Sequence, residues 1–277
     1  MLAALNILAG LFLPESGPSK NANDIAELYA LIMVMALIVF AGVEGTLIWI
    51  LFRFRARRGR VAAQIHGNTR LEIGWTVGAA VILVFITVVT FIKLPGIKNP
   101  PASDIDANGA KVASTTLFAS TDQKAPPKGA KLNIVVDGQQ YVWRYQYPRV
   151  NNKEVFAYEE MVVPVGMTVT LDITADDVAH SWWIPKLGGK MDAVPGYVNK
   201  TWFKADEAGT WPGQCAELCG RNHANMEARV RAVPFDEYQA WYDRQAADIK
   251  AARDEGAKQR QAIQKQEQEA AQRSASQ

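Results

Sequence analysis

Two uninterrupted apolar runs decide most of what this chain can become. Leu28 to Phe52 (LYALIMVMALIVFAGVEGTLIWILF) is apolar apart from Glu44, and Ile73 to Ile92 (IGWTVGAAVILVFITVVTFI) carries no charge. At about 1.5 Å rise per residue, each run is long enough to cross a hydrocarbon core about 30 Å thick as a helix. A buried helix of a water-soluble protein would be shorter and would carry a polar stripe. Two membrane spans are therefore expected.

Their orientation follows from the loop between them, which holds Arg53, Arg55, Arg57, Arg58, Arg60 and Arg70. Short Arg-rich loops stay in the cytoplasm, so both flanking regions are expected outside. The opening stretch, MLAALNILAGLFLP, is apolar but short and has no basic head. It reads as a signal remnant or an interfacial segment rather than a third span. The overall balance excludes one class of partner. Lys plus Arg number 30 against 28 Asp plus Glu, so no basic field calls for nucleic acid.

After Lys93 the composition shifts to Pro, Gly, Ala and small polar residues (PGIKNPPASDIDANGA, then TDQKAPPKGAK), which suits a linker without a core of its own. From Leu132 the pattern becomes strand-like, in LNIVVDG, QQYVWRYQYP, MVVPVG, MTVTLDITADD, YVNKTWFKAD and MEARVRAVPF. Short β-branched and aromatic runs bounded by turn residues indicate a sandwich or barrel. Beyond Pro234, Phe235, Tyr238 and Trp241 recur at helical spacing, but after Ile249 only Ile263 and alanines interrupt the charged and amide residues. The chain thus divides into an N-terminal segment (1–23), a transmembrane hairpin (24–94), a linker (95–131), a β domain (132–234) and a polar tail (235–277), helical or disordered.

Chemistry concentrates in GQCAELCGRNHANM, residues 213 to 226, which holds both cysteines of the chain. A disulfide between Cys215 and Cys219 is compatible with an external compartment, yet it would enclose only AEL and constrain the unfolded chain little. A zinc site could draw on Cys215, Cys219, His223 and His180, but zinc has no use for the thioether of Met226. Thiolate, imidazole and thioether together are the ligand set of electron-transfer copper. Two thiolates can also bridge two coppers, each taking one histidine. Of the three histidines, His66 lies in the cytoplasmic loop, which leaves His180 and His223 as the external pair. Gly213, Gly220 and Asn222 would let the segment wrap a metal as a loop.

The two stretches HSWWIPKLGGKMDAVPG and GQCAELCGRNHANM resemble, residue by residue, the dinuclear copper (CuA) motif of subunit II of haem-copper cytochrome c oxidases, and the likeness extends over about residues 24 to 240. The resemblance implies two transmembrane helices followed by an all-β cupredoxin-like barrel on the outer face of the plasma (inner) membrane. It implies that Cys215 and Cys219 bridge two coppers, that His180 and His223 ligate one each, and that Met226 and the backbone carbonyl of Glu217 complete them. The Glu217 side chain is implied as a ligand to magnesium at the boundary with subunit I. Subunit I, with subunit III, and a separate cytochrome c are the implied partners, since no CXXCH haem motif occurs in the chain. The implied activity is that of a proton-pumping oxidase: electrons pass from cytochrome c through the copper pair to haem in subunit I, where oxygen is reduced to water.

Other residues carry less distinctive signals. Family members place a tryptophan where Tyr141 stands, two residues before Trp143, as the ring that receives electrons, so Tyr141 and Trp143 are the candidates here. Trp143 reads equally as a core residue of an alternating strand. Glu72 matches an acid at the cytoplasmic mouth of a proton channel, and reads equally as a cap on the second span. Glu44, inside the first span, is expected to face subunit I. Asp192 matches an acid near the subunit I boundary, with a structural hydrogen-bond role as its alternative, and Asp177 matches an acid offered to a basic cytochrome. The rival readings are a membrane-tethered copper-binding or delivery protein without an oxidase partner, and a zinc site. A copper-free relative in a quinol oxidase would be expected to lack the cysteines.

Overall fold

The computed structural model describes residues 14–55, 59, 64–105, 109 and 131–275. The first apolar stretch up to residue 13, together with Arg57, Arg58 and Arg60, lies outside the described residues. Helix α1 (Lys20–Arg53) and helix α2 (Thr69–Lys98) contain the two apolar runs and pack against each other as a hairpin. At the outer end Lys93 donates to Glu27 across the pair at 2.6 Å. The apolar windows of both helices are unburied within the chain, with Leu51, Phe52, Phe91 and Ile92 fully turned outward. So much exposed hydrocarbon is stable only where lipid or another apolar surface replaces water.

The β domain contains ten strands: β1 (Lys131–Gln139), β2 (Val142–Gln146), β3 (Phe156–Tyr158), β4 (Glu160–Pro164), β5 (Thr168–Ala175), β6 (His180–Trp183), β7 (Met191–Ala193), β8 (Asn199–Lys204), β9 (Gly209–Cys215) and β10 (Glu227–Val233). They form two sheets, ordered β3-β2-β1-β5-β8 and β4-β10-β9-β6-β7. The β1–β5 and β4–β10 pairs are parallel; the others are antiparallel. Alternate residues point inward, as the period of a strand requires. Ile134 and Val136 of β1, Trp143 and Tyr145 of β2, and Val169, Leu171 and Ile173 of β5 face Met161, Val163, Val230 and Ala232 of the opposite sheet in one core. Trp182 joins the layers by stacking on Phe203 and donating its indole N–H to the Tyr145 hydroxyl at 3.3 Å.

Strands β1, β2, β4, β5, β8 and β10 lie where the sequence pattern indicates strands. Strand β6 starts at His180, where DDVAHSWWIP indicates a strand end, whereas β3, β7 and β9 do not stand out in the sequence. Part of the segment expected to be a linker is docked: Ala102, Ser103 and Ile105 are buried, Ser103 Oγ accepts the Thr168 N–H at 2.8 Å, and Lys204 reaches Asp104 at 2.9 Å.

Helix α3 (Phe235–Ala275) follows β10 directly. Its aromatic face extends further than Phe235, Tyr238 and Trp241. Trp241 packs on Tyr147 at 5.1 Å between centroids, Tyr242 donates to Pro148 O at 2.8 Å, and Ala246 and Ile249 are buried. The helix continues to Ala275; Arg253 still reaches Glu154 of the β domain at 2.5 Å, and beyond it exposed charges such as Lys258 and Glu269 dominate.

Strand β8 holds the two parts of the molecule together. Asn21 at the start of α1 donates to Trp202 O at 3.1 Å, and the Trp202 indole donates to Ile97 O at the end of α2 at 3.0 Å.

Candidate metal centre

Four elements bring the sulfur and imidazole groups to one end of the second sheet. His180 opens β6, Cys215 closes β9, His223 begins a 3₁₀ turn (His223–Asn225), and Met226 immediately precedes β10. Because β9 lies between β6 and β10, the two ladders set their ends side by side, and Trp182 pairs with Cys215. The loop between Cys215 and Met226 is closed at its neck, where the Cys215 N–H donates to Met226 O at 2.9 Å and the Ala216 N–H to Ser181 O at 2.9 Å.

Within this frame Cys215 Sγ and Cys219 Sγ are 3.9 Å apart. His180 Nδ1 lies 3.8 Å from Cys215 Sγ, while His223 Nδ1 and Met226 Sδ lie 3.5 and 3.9 Å from Cys219 Sγ. The Glu217 carbonyl points inward and accepts from Cys215 Sγ at 3.3 Å, whereas the Glu217 side chain is exposed. His180, Cys215, Cys219 and Met226 are all buried.

The cysteines are free, and their separation is nearly twice the S–S bond length of about 2.05 Å, so this is not disulfide geometry. Sulfurs so spaced can both touch one metal ion at about 2.3 Å. Burial, with Cys215 beside it, pushes the Cys219 thiol up to about 11. Two adjacent buried thiolates need a cation to exist at neutral pH, and metal binding supplies it while releasing the protons. A buried thioether aimed at the same sulfur favours copper over zinc.

The surroundings orient the candidate ligands. His180 Nε2 bonds Asp177 Oδ1 at 2.9 Å, which assigns the ring proton to Nε2 and leaves the Nδ1 lone pair facing the sulfurs. Asp177 also accepts from the backbone N–H groups of Gln140 at 2.8 Å and Val178 at 2.6 Å. Partial burial pushes its carboxyl up, but the His180 bond and the two backbone bonds hold it below the ordinary value. Gln140 fixes the loop from the other side, its side-chain amide donating to Cys219 O at 2.5 Å. Gly138 makes room for all this: a Cβ there would stand 3.0 Å from both the His180 ring and Trp143.

Trp143 is fully buried and meets the His180 ring edge-on at 5.8 Å, so it offers no surface to a soluble molecule. Tyr141 is half-buried, with its hydroxyl beside Gly220 of the metal loop. Gly220 (φ +132°) has the backbone freedom expected of a wrapping loop. Gly213 differs: it lies inside β9, where a Cβ would stand 2.1 Å from Trp183 O, so close strand approach is what demands glycine there. Asp192 accepts the Ser181 hydroxyl at 2.8 Å. Glu44 is half-buried in α1. Glu72 is remote from the cluster, at the start of α2, where it accepts the Asn68 N–H at 3.2 Å while Asn68 accepts the Leu71 N–H at 3.2 Å. That reciprocal pair caps the helix.

Sequence reasoning missed Gln140 and Gly138 altogether and read Asp177 only as a surface acid. The one available signal was an acid three residues before a histidine in DDVAH.

A family model described as cytochrome c oxidase subunit II, periplasmic domain, matches residues 153–233, and one described as the transmembrane domain of the same subunit matches residues 7–92. The first match contains His180, Cys215, Glu217, Cys219, His223 and Met226; Tyr141 and Trp143 fall outside both. Cytochrome c oxidase subunit 2 of Alkalihalophilus pseudofirmus is 35% identical over 223 residues, which covers 78% of this chain and 58% of that relative. The subunit 2 of Cereibacter sphaeroides is 31% identical over 242 residues, covering 84% of this chain and 78% of the relative. Among solved structures, the periplasmic domain of subunit II of the Bradyrhizobium japonicum cytochrome oxidase is 36% identical, covers 44% of this chain and 97% of that one, and superposes with a TM-score of 0.41.

Proposed function

The chain belongs to the cytochrome c oxidase subunit II family, and from that premise we propose that it is the subunit through which electrons reach a proton-pumping oxidase of the plasma membrane. It takes electrons singly from cytochrome c at a dinuclear CuA centre and passes them to haem in subunit I, where oxygen is reduced to water. The ligands are the sulfurs of Cys215 and Cys219, the imidazoles of His180 and His223, the thioether of Met226 and the carbonyl of Glu217. The observation that carries this reading is the pair of free, buried sulfurs 3.9 Å apart, ringed by two imidazoles and a thioether.

Held by Cys215, Cys219, His180, His223 and Met226, a copper pair would supply one-electron redox chemistry in which the electron is shared between the two ions. The chain's own residues restrain these ligands. Asp177 locks the His180 ring and its tautomer, Gln140 restrains the Cys219 carbonyl, and the bond from Cys215 N–H to Met226 O holds the loop closed. Burial excludes water that would otherwise reorganise around each change of charge. Tyr141 is half-buried with its hydroxyl beside Gly220 of the loop, and we assign it contact with the donor; Trp143 relays through its edge contact with His180.

The exposed Glu217 carboxylate is available to a magnesium ion shared with subunit I. Magnesium usually keeps several waters and takes only one or two carboxylates, so Glu217 would supply one oxygen, with subunit I and water completing the set.

Copper analysis and paramagnetic resonance of the purified protein test the proposal. Two coppers per chain with a multi-line signal from one electron shared between them is the expected result. One exchangeable copper with no shared-electron signal would overturn it in favour of a copper-delivery role, and zinc in its place would remove electron transfer altogether.

A further inference from the structure

A cavity of about 720 Å³ lies where the outer ends of α1 and α2 meet the β domain. We propose that it binds the headgroup of an anionic phospholipid from the outer leaflet, a site that rests on the reading of the hairpin as membrane-spanning but is independent of the copper centre.

Depth is the first argument. Ile25 of α1 lies three residues outside the apolar run that begins at Leu28, and Ile97 of α2 lies five residues beyond the run that ends at Ile92. At about 1.5 Å per residue these walls stand about 4 to 8 Å above the hydrocarbon edge. The headgroup layer on each face is about 5 to 8 Å thick, so the cavity opens within it.

Its chemistry is graded in the same direction. Ile25, Ile97 and Trp202 form an apolar wall next to the hairpin. The floor is a polar network across three adjacent strands: Thr170 donates to Asn133 at 2.8 Å, Asn133 to Asp172 at 3.1 Å, and Lys200 to Asp172 at 2.7 Å. Asp172 and Lys200 neutralise each other, which leaves the rim lysines Lys98 and Lys190 to set the net charge. Among the described residues neither has a carboxylate within ion-pair distance; Lys190 lies over the Trp183 ring at 5.1 Å. Two uncompensated ammonium groups above an apolar wall suit a phosphate attached to acyl chains, and they repel a headgroup that carries its own ammonium. An anionic lipid is therefore selected over a zwitterionic one.

The test uses the complete oxidase purified in mild detergent, with retained phospholipid identified by mass spectrometry and counted by phosphorus analysis. The Lys98→Gln/Lys190→Gln variant should retain one anionic phospholipid fewer per complex than the parent, and the Lys98→Arg/Lys190→Arg variant should retain the parental number. The proposal is overturned if the glutamine variant keeps the same lipid complement, if the lipid lost is zwitterionic, if inorganic phosphate alone fills the site, or if the cavity proves to be occupied by polypeptide of subunit I. Lipid counts and the copper signal are separate readouts, so a failure of the copper assignment leaves this result interpretable.

Discussion

Asp177 has two competing readings that one pair of variants separates. If it serves as a docking acid, its removal weakens association with a basic donor and alters salt dependence, but leaves the metal alone. The structure places it behind His180, with a 2.9 Å bond to the ring nitrogen opposite the sulfurs. A hydrogen bond to a charged partner contributes about 1.5–3 kcal/mol when buried. The Asp177 side chain is 34% exposed, so water compensates part of the loss and the lower half of that range applies. Asp177→Ala should therefore cost about 1.5–2 kcal/mol, or about 10- to 30-fold in copper affinity, in line with other supports behind a metal ligand. Asp177→Asn keeps an oxygen acceptor without its charge and should lose about half as much free energy. The measurement is competition for copper between the purified full chain and a chelator. The carboxyl is held below its ordinary value of 3.8, so its contribution is present above that value and is lost only as pH falls through the lower folded one. The affinity ratio between parent and variant should accordingly be flat across the neutral range. Parental copper affinity in both variants, with a shift confined to KM for the cytochrome, would refute the positioning role.

Two further outcomes follow from buried hydrogen bonds and from the cap on α2. The Tyr147 hydroxyl donates to Val162 O at 2.9 Å and accepts the Val162 N–H at 2.8 Å, so Tyr147→Phe strands both backbone groups in the core. Denaturant unfolding of the β domain should show a loss of about 2–4 kcal/mol, and a loss under 1 kcal/mol would mean that water replaces the hydroxyl. Glu72→Gln retains the capping acceptor on Asn68 while removing the charge. Slower oxidase turnover with unchanged copper content is the outcome if Glu72 feeds protons to subunit I, and unchanged turnover reduces it to a cap.

Sequence legibility followed chemistry more closely than geometry. The hairpin was legible because hydrocarbon runs as long as Leu28–Phe52 leave few alternatives, and the cluster because cysteine and histidine are so scarce here that few combinations exist. Strands β1 and β5 announced themselves by alternation. Strand β9 (GTWPGQC) did not: Pro212 and two glycines read as a turn, yet it is held between β6 and β10, and Gly213 is present because Trp183 O leaves no room for a side chain. Strands β6 and β7 are too short to show a period, and their pairing comes from partners distant in the chain. The surroundings of His180 were only partly legible: Asp177 is a near neighbour in sequence and left a signal in DDVAH, whereas Gln140 and Gly138 arrive from another sheet. Helix α3 shows the converse. Tyr242, Ala246 and Ile249 pack because a groove beside Tyr147 and Pro148 receives them, and no helical pattern discloses a groove.

The twin bonds from strand β8 to the hairpin, through the Trp202 carbonyl and indole, have a bearing on kinetics. Tunnelling rates fall off exponentially with separation, so a sandwich swinging on a loose tether would blur every hop into a spread of rates. Tied at one tryptophan to both helices, the domain cannot rock without stretching one of these bonds, so on the proposed electron path they would act to narrow the spread of the gap toward the membrane.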